Sequence, residues 1–250
     1  MPEYKALFHF EGELRDFFAG SDIEFPLHYG FDRNPSVKDA IEAIGVPHTE
    51  VDTIVVNGTS VGFGYHLKDG DDVTVYPVSS GPAALSKVLL RGNPRPVFIV
   101  DVNLGKLARI LRMLGFDARY RNDYTDHDVA GLAERENRIV LSRDRRLLRF
   151  KAIVHGCWIR SDDPEKQVRE VLGRFGLYSL IKPFNRCLEC NGVIEPVEKE
   201  KILERLEPKT VLYFDEFFIC SDCGKIYWKG SHYDHMNKTL ENLKDPLAGH

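Results

Sequence analysis

Two short apolar runs, each closing on an aspartate, most restrict what this chain can fold into. Val97-Phe98-Ile99-Val100 ends on Asp101, and Ile139-Val140-Leu141 leads through Ser142 and Arg143 to Asp144. Unbroken apolar runs of this length suit strands buried on both faces, as in a parallel sheet. An open α/β sheet gathers its functional groups outside the strand C-termini. Carboxylates that converge there repel one another and need a cation between them. The stretch 97–150 therefore predicts a parallel α/β domain with a metal-binding acid centre.

The residues between the two runs support that reading. Leu104, Leu107, Ala108 and Leu111 follow the spacing of a helix packed on a sheet, and Gly115 ends it. Lys106, Arg109 and Arg112 recur every third residue and predict a basic stripe off the apolar face. A short strand is expected over 117–120, a helix over 126–136 burying Val129, Leu132 and Ala133, and a fourth strand over 152–159. Strand and helix patterns alternate throughout, which argues for a mostly parallel sheet.

Charge separates the chain into three parts. The formal net charge is −4. Residues 1–80 hold 5 Lys and Arg against 14 Asp and Glu, residues 81–160 hold 16 against 8, and the rest hold 13 against 16. A basic block between two acidic ones fits a central domain that meets a polyanion. Converging acids with such a block point to a nuclease that uses Mg²⁺ or Mn²⁺. No run of eighteen apolar residues is present, and the N-terminus lacks a signal-peptide pattern. A soluble cytoplasmic protein with no membrane partner is expected. The length of 250 residues suggests two or three domains, taken as 1–80, a linker at 81–96 rich in Gly and Pro, 97–180 and 181–250. Leu85, Val88, Leu89 and Leu90 in the linker suit a short docking helix.

The first eighty residues alternate strand signals with one capped helix. Strands are expected over 5–10 and 24–29, and Ser36 caps a helix with Val37, Ala40, Ile41 and Ile44 on its buried face. Thr53-Ile54-Val55-Val56 with Asn57-Gly58 is a hairpin signal. Ile54-Val55-Val56-Asn57-Gly58 and Leu67-Lys68-Asp69-Gly70-Asp71-Asp72-Val73 resemble the ubiquitin-like β-grasp of the sulfur carriers of molybdopterin and thiamine synthesis. Those carriers work through a free C-terminal Gly-Gly. Here the chain continues through Pro77-Val78-Ser79-Ser80-Gly81-Pro82, which argues for a scaffolding or protein-binding role instead.

The central motifs carry a second resemblance. Asp101-Val102-Asn103-Leu104-Gly105-Lys106-Leu107-Ala108-Arg109, Leu111-Arg112-Met113-Leu114-Gly115-Phe116-Asp117 and Arg138-Ile139-Val140-Leu141-Ser142-Arg143-Asp144 are similar to the Mut-seven C-terminal RNase family, a branch of the PIN-like nucleases. The likeness extends over roughly 96–240. It implies a PIN-like fold and Mg²⁺- or Mn²⁺-dependent cleavage of RNA. Asp101 falls on the first PIN acid and Asp144 on the acid of the Ser/Thr-x-Asp motif. Asp126, eighteen residues before Asp144, falls where many PIN domains place an acid that opens a helix. Asp126 also reads as an N-cap, and Asp128 is the reserve candidate, about 200° around the helix. Asp163 reads as the cap of the next helix, whereas Asp162 stays open, and the fourth PIN acid has no clear match. Lys106, Arg109, Arg112, Arg143 and Arg145 are the candidate phosphate contacts.

Cys187-Leu188-Glu189-Cys190 and Cys220-Ser221-Asp222-Cys223 are two C-x₂-C pairs with twenty-nine residues between them. Each pair forms a knuckle, and two knuckles close a tetrahedral zinc site. Four thiolates leave no open position, so a structural Zn²⁺ in a ribbon with a loop over 196–210 is expected. Cys157 reads as a buried apolar residue. Tyr227, Trp228, His232 and Tyr233 read as ribbon packing, with base stacking the alternative.

Two other readings share these residues. An RNA- or ribosome-binding scaffold with an inactive site would keep the fold, the zinc and the basic belt. A phosphotransfer domain using Asp101 would favour a second acid two residues on, where Asn103 stands.

Overall fold

The computed structural model describes residues 2–77, 90 and 94–244. In chain order the strands and helices are β1 (Tyr4–Phe10), β2 (Leu27–Phe31), α1 (Val37–Ile44), β3 (Val51–Val56), β4 (Thr59–Val61), β5 (Asp72–Pro77), β6 (Val97–Val100), α2 (Gly105–Met113), β7 (Asp117–Arg119), α3 (Asp126–Glu136), β8 (Ile139–Ser142), β9 (Gly156–Trp158), α4 (Pro164–Arg174), β10 (Ile194–Val197), α5 (Pro208–Tyr213), β11 (Phe217–Cys220), β12 (Ile226–Trp228) and α6 (Ser231–Lys244). The class is α/β, with an N-terminal mixed sheet, central parallel strands with helices, and a small C-terminal antiparallel sheet. Among the described residues no helix is long and apolar enough to cross a membrane.

Two compact units divide the chain: Met1–Arg95 with Asp126–Trp158, and Pro96–Thr125 with Ile159–His250. The central parallel strands are split between them, β8 and β9 in the first unit and β6 and β7 in the second. Four of the 81–96 linker residues are described, and the docking helix expected there lies outside the described residues except for Leu90.

In the first unit the sheet order is β2-β1-β5-β3-β4, with β1 and β5 parallel and the other pairs antiparallel. This is the ubiquitin-like β-grasp. Its core is built from Phe8, Phe10, Ile41, Ile54, Leu67 and Val75, all fully buried. Ser36 caps α1 by accepting the Asp39 N–H at 3.1 Å. Asn57 and Gly58 take positive φ in the two-residue turn between β3 and β4, the conformation that matches strand twist. Strand β2 starts at Leu27, three residues later than the sequence reading, because Pro26 has no N–H to give a ladder. Residues 126–158 add α3, β8 and a short β9, which pairs in parallel with β8. The expected strand over 152–159 is reduced to three residues because the chain turns at Lys151 and Ala152 before it.

In the second unit β6 pairs in parallel with β7. Helix α2 buries Leu107, Ala108 and Leu111, and α4 buries Val168, Val171 and Leu172. Phe98 meets Phe116 edge-on and Phe175 at a tilt, with centroids 6.1 and 6.2 Å away. Gly115, at φ +96°, ends this helix region where a Cβ would overlap the Lys182 carbonyl, so only glycine fits. The order β10-β11-β12 forms the antiparallel ribbon. The interval between its cysteine pairs holds two 3₁₀ turns and α5 rather than one irregular loop.

Candidate functional site

The four paired cysteines meet in the second unit. Their sulfurs all lie within 4.8 Å of one another, with Cys187 to Cys223 at 3.6 Å and Cys190 to Cys220 at 3.4 Å. Sulfurs placed tetrahedrally about a Zn²⁺ ion at roughly 2.3 Å stand about 3.8 Å apart, so the set fits. Each knuckle is closed by main-chain bonds: Asn191 N–H to Cys187 O at 3.0 Å, and Gly224 N–H to Cys220 O at 3.0 Å. The left-handed positions that make these turns are Asn191 (φ +75°) and Gly224 (φ +69°). The first knuckle thus uses an asparagine, not the glycine that follows it. Gly192 serves another need, since a Cβ there would press on Asp222 and the Cys220 sulfur.

The thiols do not titrate alike. Burial raises the Cys187 thiol, but main-chain N–H groups of Cys190 and Glu189 and the Tyr227 hydroxyl outweigh it and hold it at about 6. Burial pushes the Cys190 thiol up to about 12. Neighbouring sulfurs favour the Cys187 thiolate and oppose the Cys190 one, a conflict that a cation removes. The Tyr227 hydroxyl lies 3.0 Å from the Cys187 sulfur and accepts the Leu188 N–H at 3.2 Å, so this ring packs the ribbon.

Arg112 ties that knuckle to the parallel strands. It is 4% exposed. Its Nε donates to Ala118 O at 2.8 Å, and Nη1 donates to Leu188 O at 3.1 Å and Glu189 O at 2.8 Å. Burial lowers its pKa, opposed by the negative groups of Cys187, Cys190, Glu189 and Asp117. The basic stripe expected on α2 is therefore corrected at this position. Lys106 and Arg109 are exposed, but Arg112 faces inward because the knuckle carbonyls need donors. Asn191 reinforces the link, donating to Asp117 at 2.8 Å and accepting the Ala118 N–H at 2.9 Å.

The acids occupy different elements. Asp101, in the second unit, closes β6, is 5% exposed and accepts the Val102 N–H at 2.7 Å. Asp126, Asp128 and Asp144 belong to the first unit. Asp126 is the first residue inside α3 rather than its cap, and Asp128 follows in the same turn; both are exposed. Ser142 ends β8 and its hydroxyl accepts the Asp144 N–H at 2.8 Å. One Asp144 oxygen accepts the Arg146 N–H at 2.7 Å; the other has no hydrogen-bond partner among the described residues. Asp163 caps α4 by accepting the N–H groups of Glu165 and Lys166.

The exposed cations are also placed. Lys106 and Arg109 on α2 line a groove of about 1020 Å³ with Tyr227, Trp228, Tyr233 and Lys225. Glu189 bridges two of them, 3.3 Å from Arg109 and 2.8 Å from Lys225. These two salt links hold its carboxyl below the usual range. Sequence reading did not single out Glu189, because a residue inside a knuckle reads as spacer.

Family comparison assigns the chain. The model of the Mut7-C RNAse domain matches residues 96–240, and that of the Mut7-C ubiquitin domain matches residues 3–82. The chain belongs to the Mut7-C family. No curated protein and no solved structure gives a significant match. The Mut7-C RNAse domain points to a nuclease, and its matched span includes Asp101, Asp126, Asp144 and all four cysteines. The Mut7-C span also includes Arg143, which is exposed, and Arg145, whose guanidinium is engaged by Phe17 and Trp158.

Proposed function

We propose that this protein is a metal-dependent ribonuclease in which Asp101, Asp126 and Asp144 hold Mg²⁺ or Mn²⁺, with Asp128 in reserve. The observation that carries this is the RNAse-domain match, within which Asp101 and Asp144 follow the ends of parallel strands. Oxygen-only donors of this kind suit a hard divalent cation that keeps several waters. Such an ion would supply an activated water and neutralise charge on the scissile phosphate. Ser142 holds the Asp144 main chain, and the Arg146 N–H fixes one carboxylate oxygen. The other oxygen would serve as the ligand. Asp101 is held at the other strand end by the Val102 N–H.

Zn²⁺ in the Cys187, Cys190, Cys220 and Cys223 set is structural in this reading, since four thiolates leave no position for substrate. Single-stranded RNA follows the groove beside α2, with phosphates at Lys106 and Arg109 and bases on the exposed Trp228 ring. Reduced thiols at the zinc site suit a cytoplasmic protein. A non-cleaving RNA-binding scaffold is the second reading, because the groove alone would serve it.

The test is cleavage of mixed-sequence single-stranded and structured RNAs with Mn²⁺ or Mg²⁺, beside EDTA, Asp101→Asn and Asp144→Asn. Metal-dependent cutting abolished by both substitutions supports the nuclease. RNA binding without cutting in any metal would leave the scaffold.

A further inference from the structure

The β-grasp face that meets residues 145–158 reaches them through buried polar groups. Glu50 is fully buried and accepts the Trp158 N–H at 2.7 Å. His48 is 5% exposed; its Nδ1 lies 2.6 Å from Glu42 and its Nε2 lies 2.9 Å from the Ile153 carbonyl. Thr49 donates to Leu148 O at 3.3 Å, and Arg149 donates to Gly45 O at 2.7 Å. Removing the partners of buried polar groups is costly, so these bonds hold the segment firmly against the face. Gly156 shows how closely the two meet, since a Cβ there would press on Leu148 and Thr49.

Arg145, the residue after Asp144, is the centre of the contact. Its guanidinium lies 4.1 Å from the Trp158 ring centroid and 5.0 Å from that of Phe17. It also donates to the Phe17 carbonyl at 2.9 Å. Phe17 is 6% exposed, and its ring centroid is 4.5 Å from that of Trp158. A stacked, hydrogen-bonded guanidinium gives up rotamer freedom and fixes the backbone that carries it. That backbone also carries Asp144.

We infer that the ubiquitin-like domain is a built-in clamp on the Asp144 loop, and that Arg145 is a positioning residue rather than a phosphate contact. The inference rests on the nuclease reading for its effect on activity, and on geometry alone for the clamp. It gives the β-grasp domain a task that needs neither a Gly-Gly tail nor an outside partner.

The experiment uses the full chain with Arg145→Ala, Arg145→Lys and Phe17→Leu. Phe17→Leu keeps most of the volume, and Phe17 carries no charge, so its effect cannot be a lost phosphate contact. Hydrogen exchange of peptides spanning 142–150 and steady-state RNA cleavage with Mn²⁺ are measured on each. The clamp predicts exchange over 142–150 faster by about tenfold or more in Arg145→Ala and Phe17→Leu, with 4–10 unchanged. It also predicts kcat lower by about tenfold or more with KM within about twofold, and partial recovery in Arg145→Lys. Unchanged exchange in both Arg145→Ala and Phe17→Leu overturns the clamp. A raised KM at constant kcat in Arg145→Ala alone overturns it as well, and returns Arg145 to RNA binding. If the wild type cuts nothing, the nuclease reading fails, whereas the exchange data still decide the clamp.

Discussion

The Arg112 guanidinium donates to the Glu189 carbonyl at 2.8 Å, joining α2 to a cysteine knuckle 77 residues further along the chain. The same side chain serves Ala118, Leu188 and Tyr120, so four carbonyls depend on it. Arg112→Ala should destabilise the protein by about 3–5 kcal/mol, because buried acceptors lose a charged donor. Arg112→Lys should recover little, since an ammonium cannot span the fork. Denaturant melts of the three proteins measure this. Stability of Arg112→Ala within about 1 kcal/mol of wild type would show that the network is slack.

Removal of the ion should act on the same knuckle from the other side. One Zn²⁺ per chain is expected by elemental analysis, with Cys223→Ser lowering retention sharply. Ligand thiolates are brought together by folding, so metal binding energy is folding energy. A strong chelator should therefore lower the melting temperature and change the near-ultraviolet signal of Tyr227 and Trp228, both on β12. A metal-free chain with an unchanged melt would mean the ribbon holds without the ion.

Asp71 should matter far more than an acid in a turn usually does. It is 3% exposed and accepts three bonds: from Asn57 Nδ2 at 2.8 Å, the Tyr65 hydroxyl at 3.0 Å and the Lys68 N–H at 2.8 Å. Asp71→Ala leaves those donors without their acceptor and should cost about 2–4 kcal/mol. A loss under about 0.5 kcal/mol by urea titration would place the turn's stability elsewhere.

Tyr65 supplies a pH dependence with a definite sign. Burial first, then the hydrogen bond to Asp71 and its charge, raise the Tyr65 pKa above 10.0. A raised folded pKa means that the contribution is fully present below pH 10.0, the unfolded value, and is lost as pH rises through the folded value. Wild type should therefore lose stability at alkaline pH by a step that Tyr65→Phe lacks. Identical pH profiles of the two melts would remove Tyr65 as the source.

Most of the fold was legible because its signals were local. The Ser36 cap, the Asn57-Gly58 turn, the Gly115 stop and the two C-x₂-C knuckles each need only a few neighbouring residues. The Asp163 cap was legible for the same reason. What could not be read was long-range. Periodicity put Arg112 on the same stripe as Lys106 and Arg109, but a carbonyl cluster 77 residues away draws it inward. Likewise Arg145 reads as one more cation in a basic run, and only the position of Phe17, 128 residues earlier, shows where it goes. Glu50 and His48 carry no local signal, since the role of a buried polar group is visible only once its distant partner is in place.

The groove beside α2 makes a last prediction that separates charge from stacking. Lys106 is exposed on that groove, and Trp228 is 38% exposed beside it. A phosphate contact releases a counterion, so Lys106→Ala should weaken binding of single-stranded RNA and lower its salt slope by roughly 0.7. A stacked base releases none. Trp228→Ala should weaken binding by about 1–3 kcal/mol per stacked base while leaving the slope unchanged. Fluorescence anisotropy of a labelled oligonucleotide over a salt series, in EDTA to prevent cleavage, reads both quantities. If neither substitution moves the affinity, RNA does not use this groove, and Trp228 serves only to pack against Phe214 and Phe217, whose ring centroids lie 6.4 and 6.5 Å away.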